Sequence, residues 1–119
     1  MIPRKHKLPS NLISDVLKNG RFVYNHFFLI KYKFNTYGYS RVAVIVSTKI
    51  DKRAVIRNKL KRRILGLFSG VINKISKPLD IVVITKKKSV YLKNNEFDKR
   101  ILELLEKINS YVVKNKQSD

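Results

Sequence analysis

Thirteen consecutive residues of this chain carry seven positive charges, and cations at such density bind anions. The segment reads KRAVIRNKLKRRI from residue 52 to residue 64 and contains no acidic residue. Arginine and lysine side chains bind phosphate oxygens, and a guanidinium group does so through two parallel hydrogen bonds. Helices that are merely solvated usually mix both signs of charge, because unlike charges one turn apart attract each other. The segment therefore favours a polyanionic partner over a solvated helix face.

The whole chain shares this imbalance of charge. Its 119 residues include 27 lysines and arginines against 8 aspartates and glutamates, which gives a formal net charge of +19. A compact domain with this charge repels itself unless an anion neutralises it. Hydrophobic residues make up 44% of the chain, enough for one folded domain with its own core. We predict a single nucleic-acid-binding domain over 1–119, with 1–8 and 114–119 flexible.

Acidic residues and histidines are too sparse in the sequence to build a catalytic site. Only Asp15, Asp51 and Asp80 precede residue 96, and they stand far apart in the chain. The only histidines are His6 and His26, which we expect at the surface. Nucleases hold metal ions with clustered carboxylates or use paired histidines as acid and base. Since the chain also lacks cysteine, it has no thiol nucleophile and no thiolate metal site. The sequence predicts a binding protein without catalytic groups of its own.

The sequence also bears on the compartment. No apolar run approaches the roughly 18 residues that a membrane-spanning helix needs. The first residues, MIPRKHKLPSN, lack the apolar segment of a signal peptide. We therefore expect a cytoplasmic protein without a membrane partner.

Hydrophobic periodicity predicts an α+β chain with one sheet backed by helices, an α/β sandwich. Helices are predicted over 9–20, 53–74 and 96–113. Strands are predicted over 21–34, 41–50 and 81–85, with a further strand if 21–34 bends. The turn NTYGYS between the first two strands predicts that they form a hairpin.

The basic segment falls within the second predicted helix, where apolar residues recur at helical spacing. On a helical wheel they form one stripe, and the cations cover most of the remaining surface: Ile56, Leu60, Ile64, Leu67 and Val71. A helix that reads DNA as part of a helix-turn-helix is one interpretation, but strand-rich flanks do not supply the supporting helices. An RNA-binding helix, with cations on phosphates and Asn58 on a polar edge, is another.

Residues 54–62, AVIRNKLKR, resemble the AV-x-RN-x-x-KR signature of the bacterial ribonuclease P protein subunit. RVAVIVSTKI, LDIVVITKKK and DVLKNGRFVYNHFFLIKY resemble the surrounding segments of that family in the same order. The resemblance implies an α/β sandwich with a left-handed β-α-β crossover, although right-handed crossovers are the rule. It also implies a large catalytic RNA as partner and precursor tRNA as substrate. It implies further that the RNA removes the 5′ leader with Mg²⁺ at an RNA-based active site, and that the protein itself holds no cofactor tightly.

The resemblance further implies which residues contact RNA. They lie in the signature helix and at the ends of two strands: Arg53, Arg57, Asn58, Lys59, Lys61, Arg62, Arg63, Ser47, Lys49, Lys86 and Lys87. Three positions depart from the family pattern. Lys59 and Leu65 stand where arginine is usual, and Thr48 replaces a usual lysine.

A cleft between the first helix and the sheet is implied to hold the single-stranded leader. The corresponding residues here are Ile13, Leu17, Phe27, Leu29, Lys31 and Tyr32. Ile13 and Leu17 replace phenylalanines that are common in the family, and aliphatic side chains do not stack on bases. Phe27, Leu29 and Lys31 alternate onto one face of the predicted strand, and Tyr32 would join them if the register shifted by one residue.

Two other functions would also suit a strongly basic chain. One is a structural RNA-binding protein, ribosomal or nucleoid-associated, which would share the charge but not the ordered residues around 54–62. The other is a nuclease that acts without RNA, which the scarcity of carboxylates disfavours.

Overall fold

A four-stranded sheet lies between helical layers in residues 2–116, the part of the chain that the computed structural model describes. The strands are β1 (Arg21–Tyr24), β2 (Phe28–Phe34), β3 (Arg41–Ile45) and β4 (Leu79–Thr85). The α-helices are α1 (Ile13–Asn19), α2 (Ala54–Val71) and α3 (Asn94–Lys116). This order confirms the predicted α+β arrangement, including the further strand produced by a bend in 21–34.

The strand order in the sheet is β1-β2-β4-β3. β4 runs antiparallel to β2 and parallel to β3. The predicted hairpin between β2 and β3 is therefore wrong, because β4 lies between them. The physical reason is the apolar run of β4, which is buried along nearly its whole length. Such a strand needs helices or other cover on both faces, and the middle of the sheet provides it.

The actual hairpin joins β1 to β2 and turns at Asn25. The Asn25 side-chain oxygen accepts hydrogen bonds from the backbone N–H groups of Phe27 and Phe28, both at 2.9 Å. The backbone N–H of Asn25 donates to the carbonyl of Phe28 at 3.0 Å. An asparagine side chain thus replaces the glycine or proline that usually marks a turn, which is why the sequence pattern read as one strand.

One face of the sheet packs against α2 and α3 and holds the larger core. The predicted apolar stripe of α3 is confirmed, since all its members are buried: Phe97, Ile101, Leu104, Leu105, Ile108 and Val112. The stripe of α2 is rotated relative to the prediction. Ile64 and Phe68 are its fully buried residues, whereas Ile56 is only half-buried. The α-helix also ends at Val71, and a 3₁₀ turn continues it to Lys74.

The opposite face of the sheet packs against α1. Val16 of α1 contacts the cluster around Val82 at the centre of the sheet, and both are buried. Ile13 and Leu17 pack against this cluster and remain partly exposed. α1 is therefore held by a small apolar contact, and a strip of partly exposed sheet lies beside it.

Several residues of 2–8 are buried against the rest of the domain, and the flexibility predicted for 1–8 stays a prediction. Ile2 is 3% exposed and belongs to the larger core, and Lys7 forms a β-bridge with Val42. His6 is buried, contrary to the expectation of a surface position, with its Nδ1 atom 2.7 Å from the carbonyl oxygen of Ser40. His26 is exposed as expected. At the other end of the chain α3 includes 114–116, and 117–119 lie outside the described residues.

α2 connects β3 to its parallel neighbour β4, which is the β-α-β unit that the resemblance implies. The left hand of the crossover stays a prediction. Within residues 2–116, no helix has both the length and the apolar character needed to cross a membrane.

Candidate nucleic-acid interface

The predicted RNA-binding residues meet at one edge of the sheet because β3 and β4 are parallel. Ile45 pairs with Ile84 near the carboxyl ends of these strands, and the Thr85 hydroxyl donates to the Ile45 carbonyl at 3.2 Å. The segments that follow the two strands therefore leave the sheet side by side, and α2 begins at the same edge. Crevices outside the carboxyl ends of parallel strands commonly bind ligands in α/β proteins.

The segments after β3 and β4 present cations to solvent. Ser47 and Lys49 are exposed in a turn that is closed by a hydrogen bond from the Ile50 N–H to the Ser47 carbonyl, at 3.0 Å. Lys87 is exposed at the start of a 3₁₀ helix. Lys86 is partly buried, and its ammonium group donates to the Asn25 carbonyl at 2.7 Å. Three of these four side chains are thus open to a phosphate, and the fourth is held against the β1–β2 turn.

The outer side of α2 carries the signature residues that are most accessible. Asn58, Lys59 and Arg62 are exposed, and Lys61 is partly exposed. They lie away from the buried stripe through Ile64, so the packing of the helix leaves them free to face a partner. The arginine that is usual at the position of Lys59 would point to the same side.

Arg57 and Arg63 differ from the other signature cations because they flank the buried stripe and bind within the protein. The Arg57 guanidinium donates to the carbonyls of Asp51 and Lys52 at 3.0 and 2.7 Å. The Arg63 guanidinium lies 4.1 Å from the centre of the Phe97 ring on α3. Arg57 therefore stabilises the loop before α2, and Arg63 stabilises the packing of α2 against α3. Any contact with a partner would come in addition.

Asp51 organises the entry to α2. Its carboxylate accepts hydrogen bonds from the Arg53 backbone N–H at 2.9 Å and from the Arg53 guanidinium at 3.1 and 2.9 Å. These bonds, first of all those of the Arg53 side chain, lower the pKa of Asp51 to about 2. Arg53 is thereby held at the N-terminus of α2, although 74% of its side chain is exposed.

The face of the sheet beside α1 forms the floor of the predicted leader cleft. Strand register aligns two rows of side chains on it. The row nearer the carboxyl ends of β3 and β4 is Tyr24, Leu29, Ile84 and Ile45, and the next is Phe22, Lys31, Val82 and Ala43. The Lys31 ammonium donates to the Leu17 carbonyl at 2.8 Å and so joins the floor to the end of α1. Ile13, Leu17, Leu29 and Lys31 are therefore brought together at this cleft.

Tyr32 and Phe27 lie outside the cleft, contrary to the prediction. Tyr32 is 2% exposed and points into the core on the opposite face, where burial raises its pKa. Phe27 precedes β2 and packs against the core on the α3 side, with the Arg100 guanidinium 5.6 Å from its ring centre. Alternation in β2 begins only at Phe28, so the pattern assumed across 27–31 does not hold for Phe27.

Leu65, at a position where arginine is usual in the family, has a packing role here. It is partly buried and contacts the larger core. It also lines a 290 Å³ cavity beside the N-terminal segment, together with Ile2, Lys7, Arg62 and Gly66. At this position an apolar side chain on α2 thus faces the N-terminal segment across a cavity.

The sequence interpretation missed the exposed aromatic pair of β1, Phe22 and Tyr24, which are 59% and 60% exposed. The signal was present as two aromatic residues at alternate positions of a short strand.

Acidic groups are dispersed in the structure as well. Across residues 2–116, histidine, aspartate and glutamate side chains form no group of three or more that could hold a metal ion.

Comparison with known proteins places this geometry in one family. The family model for ribonuclease P matches residues 2–109. The ribonuclease P protein component of Thermotoga petrophila is 40% identical over 73 residues, which cover 61% of this chain and 62% of that relative. The protein component of Mycoplasma mycoides subsp. mycoides is 30% identical over 95 residues, covering 79% of this chain and 86% of the relative.

A solved structure gives the same result for the fold. The ribonuclease P protein of Thermotoga maritima superimposes with a TM-score of 0.78 at 30% identity. The superposition covers 86% of this chain and 96% of that structure.

Proposed function

The chain belongs to the ribonuclease P protein family, and on that premise we propose that it is the protein subunit of a ribonuclease P. It would bind the catalytic RNA and precursor tRNA and assist the endonucleolytic removal of the 5′ leader. The observation that carries the proposal is the basic edge of the sheet, where α2 and the segments after β3 and β4 converge. Family membership supports the proposed activity, and this edge gives a surface on which it can be tested.

The proposed partner of the basic edge is the phosphate backbone of the catalytic RNA. Lys59 and Arg62 are exposed on the outer side of α2, Lys61 is partly exposed, and Lys49 and Lys87 are exposed in the segments that follow β3 and β4. Phosphate contacts of this kind fix the position of a protein on RNA without reading sequence. They release bound counterions, so the affinity should fall steeply as salt rises. Five further residues would add contacts to the RNA: Arg53, Arg57, Arg63, Ser47 and Lys86. Four of them also make contacts within the protein, and Ser47 lies in the turn after β3.

The proposed ligand of the cleft is the single-stranded leader. Its floor is aliphatic at the centre, with the Lys31 ammonium held at the end of α1. A cleft that binds the leader adds affinity for precursor tRNA and none for mature tRNA. Product release would then be easier than substrate release, because cleavage removes the segment that the cleft binds.

The chemistry would reside in the RNA. The chemistry that a Mg²⁺ ion would supply there is the activation of water and the stabilisation of the leaving oxygen. Within residues 2–116, acidic and histidine side chains form no group of three or more that could hold a metal ion, and we propose that the RNA holds it. The protein's part would be electrostatic: its cations neutralise crowded phosphates and lower the Mg²⁺ concentration that the RNA requires. The proposed substrate implies the cytoplasm as the compartment.

Cleavage of precursor tRNA at low Mg²⁺ tests the proposal. The protein alone, its cognate catalytic RNA alone and the mixture are compared. We expect cleavage at the 5′ end of the tRNA to be stimulated only in the mixture. Cleavage by the protein alone would identify a protein nuclease, and a mixture no faster than the RNA alone would favour a structural RNA-binding protein.

A further inference from the structure

The exposed aromatic pair of β1 forms a flat surface at the edge of the sheet. Phe22 and Tyr24 lie two residues apart and on the same face. Their ring centres are 6.2 Å apart and their planes are inclined by 30°. More than half of each side chain is exposed. Two large rings are thus presented side by side to solvent, in a strand whose other residues contribute to the core or to the α3 side.

This surface continues the floor of the cleft. Phe22 pairs across the strands with Lys31, and Tyr24 pairs with Leu29. The Lys86 ammonium lies 5.0 Å from the centre of the Tyr24 ring and is also bonded to the β1–β2 turn. The aromatic pair therefore has the aliphatic floor of the cleft on one side and the Lys86 ammonium beside Tyr24.

Aromatic rings beside cations suit single-stranded nucleic acid, since bases stack on the rings and phosphates meet the charges. β1 is also an edge strand, and edge strands can pair with another chain. A second copy of this protein would, however, bring another formal charge of +19 to the contact. Like charges of this size oppose association. Charge complementarity favours a polyanion over a second copy.

We propose that Phe22 and Tyr24 stack on unpaired bases of the 5′ leader. They would supply the aromatic contact that Ile13 and Leu17 on α1 do not provide. The inference rests on the proposed function. It adds the residues that contact the leader and the kind of contact that they make. The leader would run across the cleft floor from α1 towards β1, with a phosphate near Lys86.

The test uses the holoenzyme reconstituted with its cognate catalytic RNA. Phe22→Val with Tyr24→Val removes both rings and places a residue type that favours strands at each position. Phe34→Val is the matched control, because Phe34 is also exposed, lies on the neighbouring strand and faces the opposite side of the sheet. We expect the double variant to bind precursor tRNA about 5- to 150-fold more weakly, as for the loss of one stacked base, with unchanged affinity for mature tRNA. Phe34→Val should change neither affinity.

Precursors with an abasic nucleotide at successive leader positions test the contact with the unaltered protein. We expect weaker binding at one or two adjacent positions, and no further weakening at those positions with the double variant. If the double variant binds precursor tRNA as the unaltered protein does, the proposal is wrong. Equal losses for precursor and mature tRNA would place the rings on the catalytic RNA and would also overturn it. If the unaltered holoenzyme itself shows no preference for precursor over mature tRNA, the proposed cleft function fails with it.

Discussion

At the amino ends of β3 and β4 the charges are buried and paired, whereas at the carboxyl ends most of them are exposed. Arg41 and Asp80 face each other in the first region through two hydrogen bonds of 2.8 Å, and both residues are less than 10% exposed. Asn35 adds a third bond to the Asp80 carboxylate, at 2.8 Å. In the second region Lys49 and Lys87 are exposed, and Asp51 bonds to Arg53.

The difference separates charges that hold the fold from charges that are available to a partner. A charge taken out of water needs a partner of opposite sign and good hydrogen bonds, and the Arg41–Asp80 pair has both. Cations left in water need no such partner, but together they repel each other. The cations that repel each other are concentrated at the edge where α2 begins. An RNA that neutralises them should therefore also stabilise the fold.

The largest effect should come from breaking the buried pair. Asp80→Ala leaves the Arg41 guanidinium in a buried site without its carboxylate, and we expect the free energy of unfolding to fall by about 3–5 kcal/mol. Urea unfolding followed by circular dichroism measures it. Asp15→Ala is the control, since its pair with Lys33 is nearly half exposed and should matter much less. Similar losses for the two variants would contradict the contrast between the regions.

Substitution of exposed cations on α2 should affect stability less than loss of the buried pair does. It should, however, clearly weaken RNA binding. Lys59→Ala with Arg62→Ala should weaken binding to the catalytic RNA by about tenfold and reduce the slope of log affinity against log salt by about 2. Filter binding over a salt series measures both quantities. Lys74→Ala with Lys99→Ala removes the same charge from exposed positions elsewhere. If this control pair weakens binding equally, net charge rather than the α2 surface determines affinity.

Arg57 sharpens the comparison because it belongs to the signature and also binds within the protein. We expect Arg57→Ala to lower the free energy of unfolding by about 1 kcal/mol, since two backbone carbonyls lose their donor. Because Arg57 has these intramolecular hydrogen bonds, a loss of RNA binding in Arg57→Ala would not by itself identify an RNA contact. Lys61→Ala alone should leave the unfolding midpoint in urea unchanged. A variant Arg57→Ala as stable as the parent would show that the loop does not depend on this residue.

The smallest effect should be the pH dependence of the entry to α2. The pKa of Asp51 is lowered to about 2, so its bonds to Arg53 are present above its ordinary value near 3.8 and are lost as the pH falls through about 2. NMR titration of the Asp51 carboxyl carbon should give the lowered pKa, and Arg53→Ala should raise it towards the ordinary value, since the backbone N–H of residue 53 can still donate. Titration of Asp51 near 3.8 in the parent protein would contradict the assigned hydrogen bonds.

Much of the fold and of the candidate site is determined by the sequence itself. Periodicity depends only on local geometry, so the apolar stripe of α3 and the exposed cations on the outside of α2 follow from residue spacing. The order of the elements follows in the same way, whereas the division of 21–34 into two strands is left open by periodicity. The signature at 54–62 identifies the family without any structure, and the surplus of cations indicates a polyanionic partner.

Only the tertiary structure decided how distant segments meet. β4 lies between β2 and β3 because it is the strand that most needs both faces buried. That depends on comparing all the strands of the sheet, which no local sequence pattern does. The same pairing set the faces of Phe27 and Tyr32 and aligned Phe22 and Tyr24 with the cleft floor. Because these contacts depend on how the strands pair and not on residue spacing, the sequence alone determined which groups the protein has, and the fold determined which of them are exposed together.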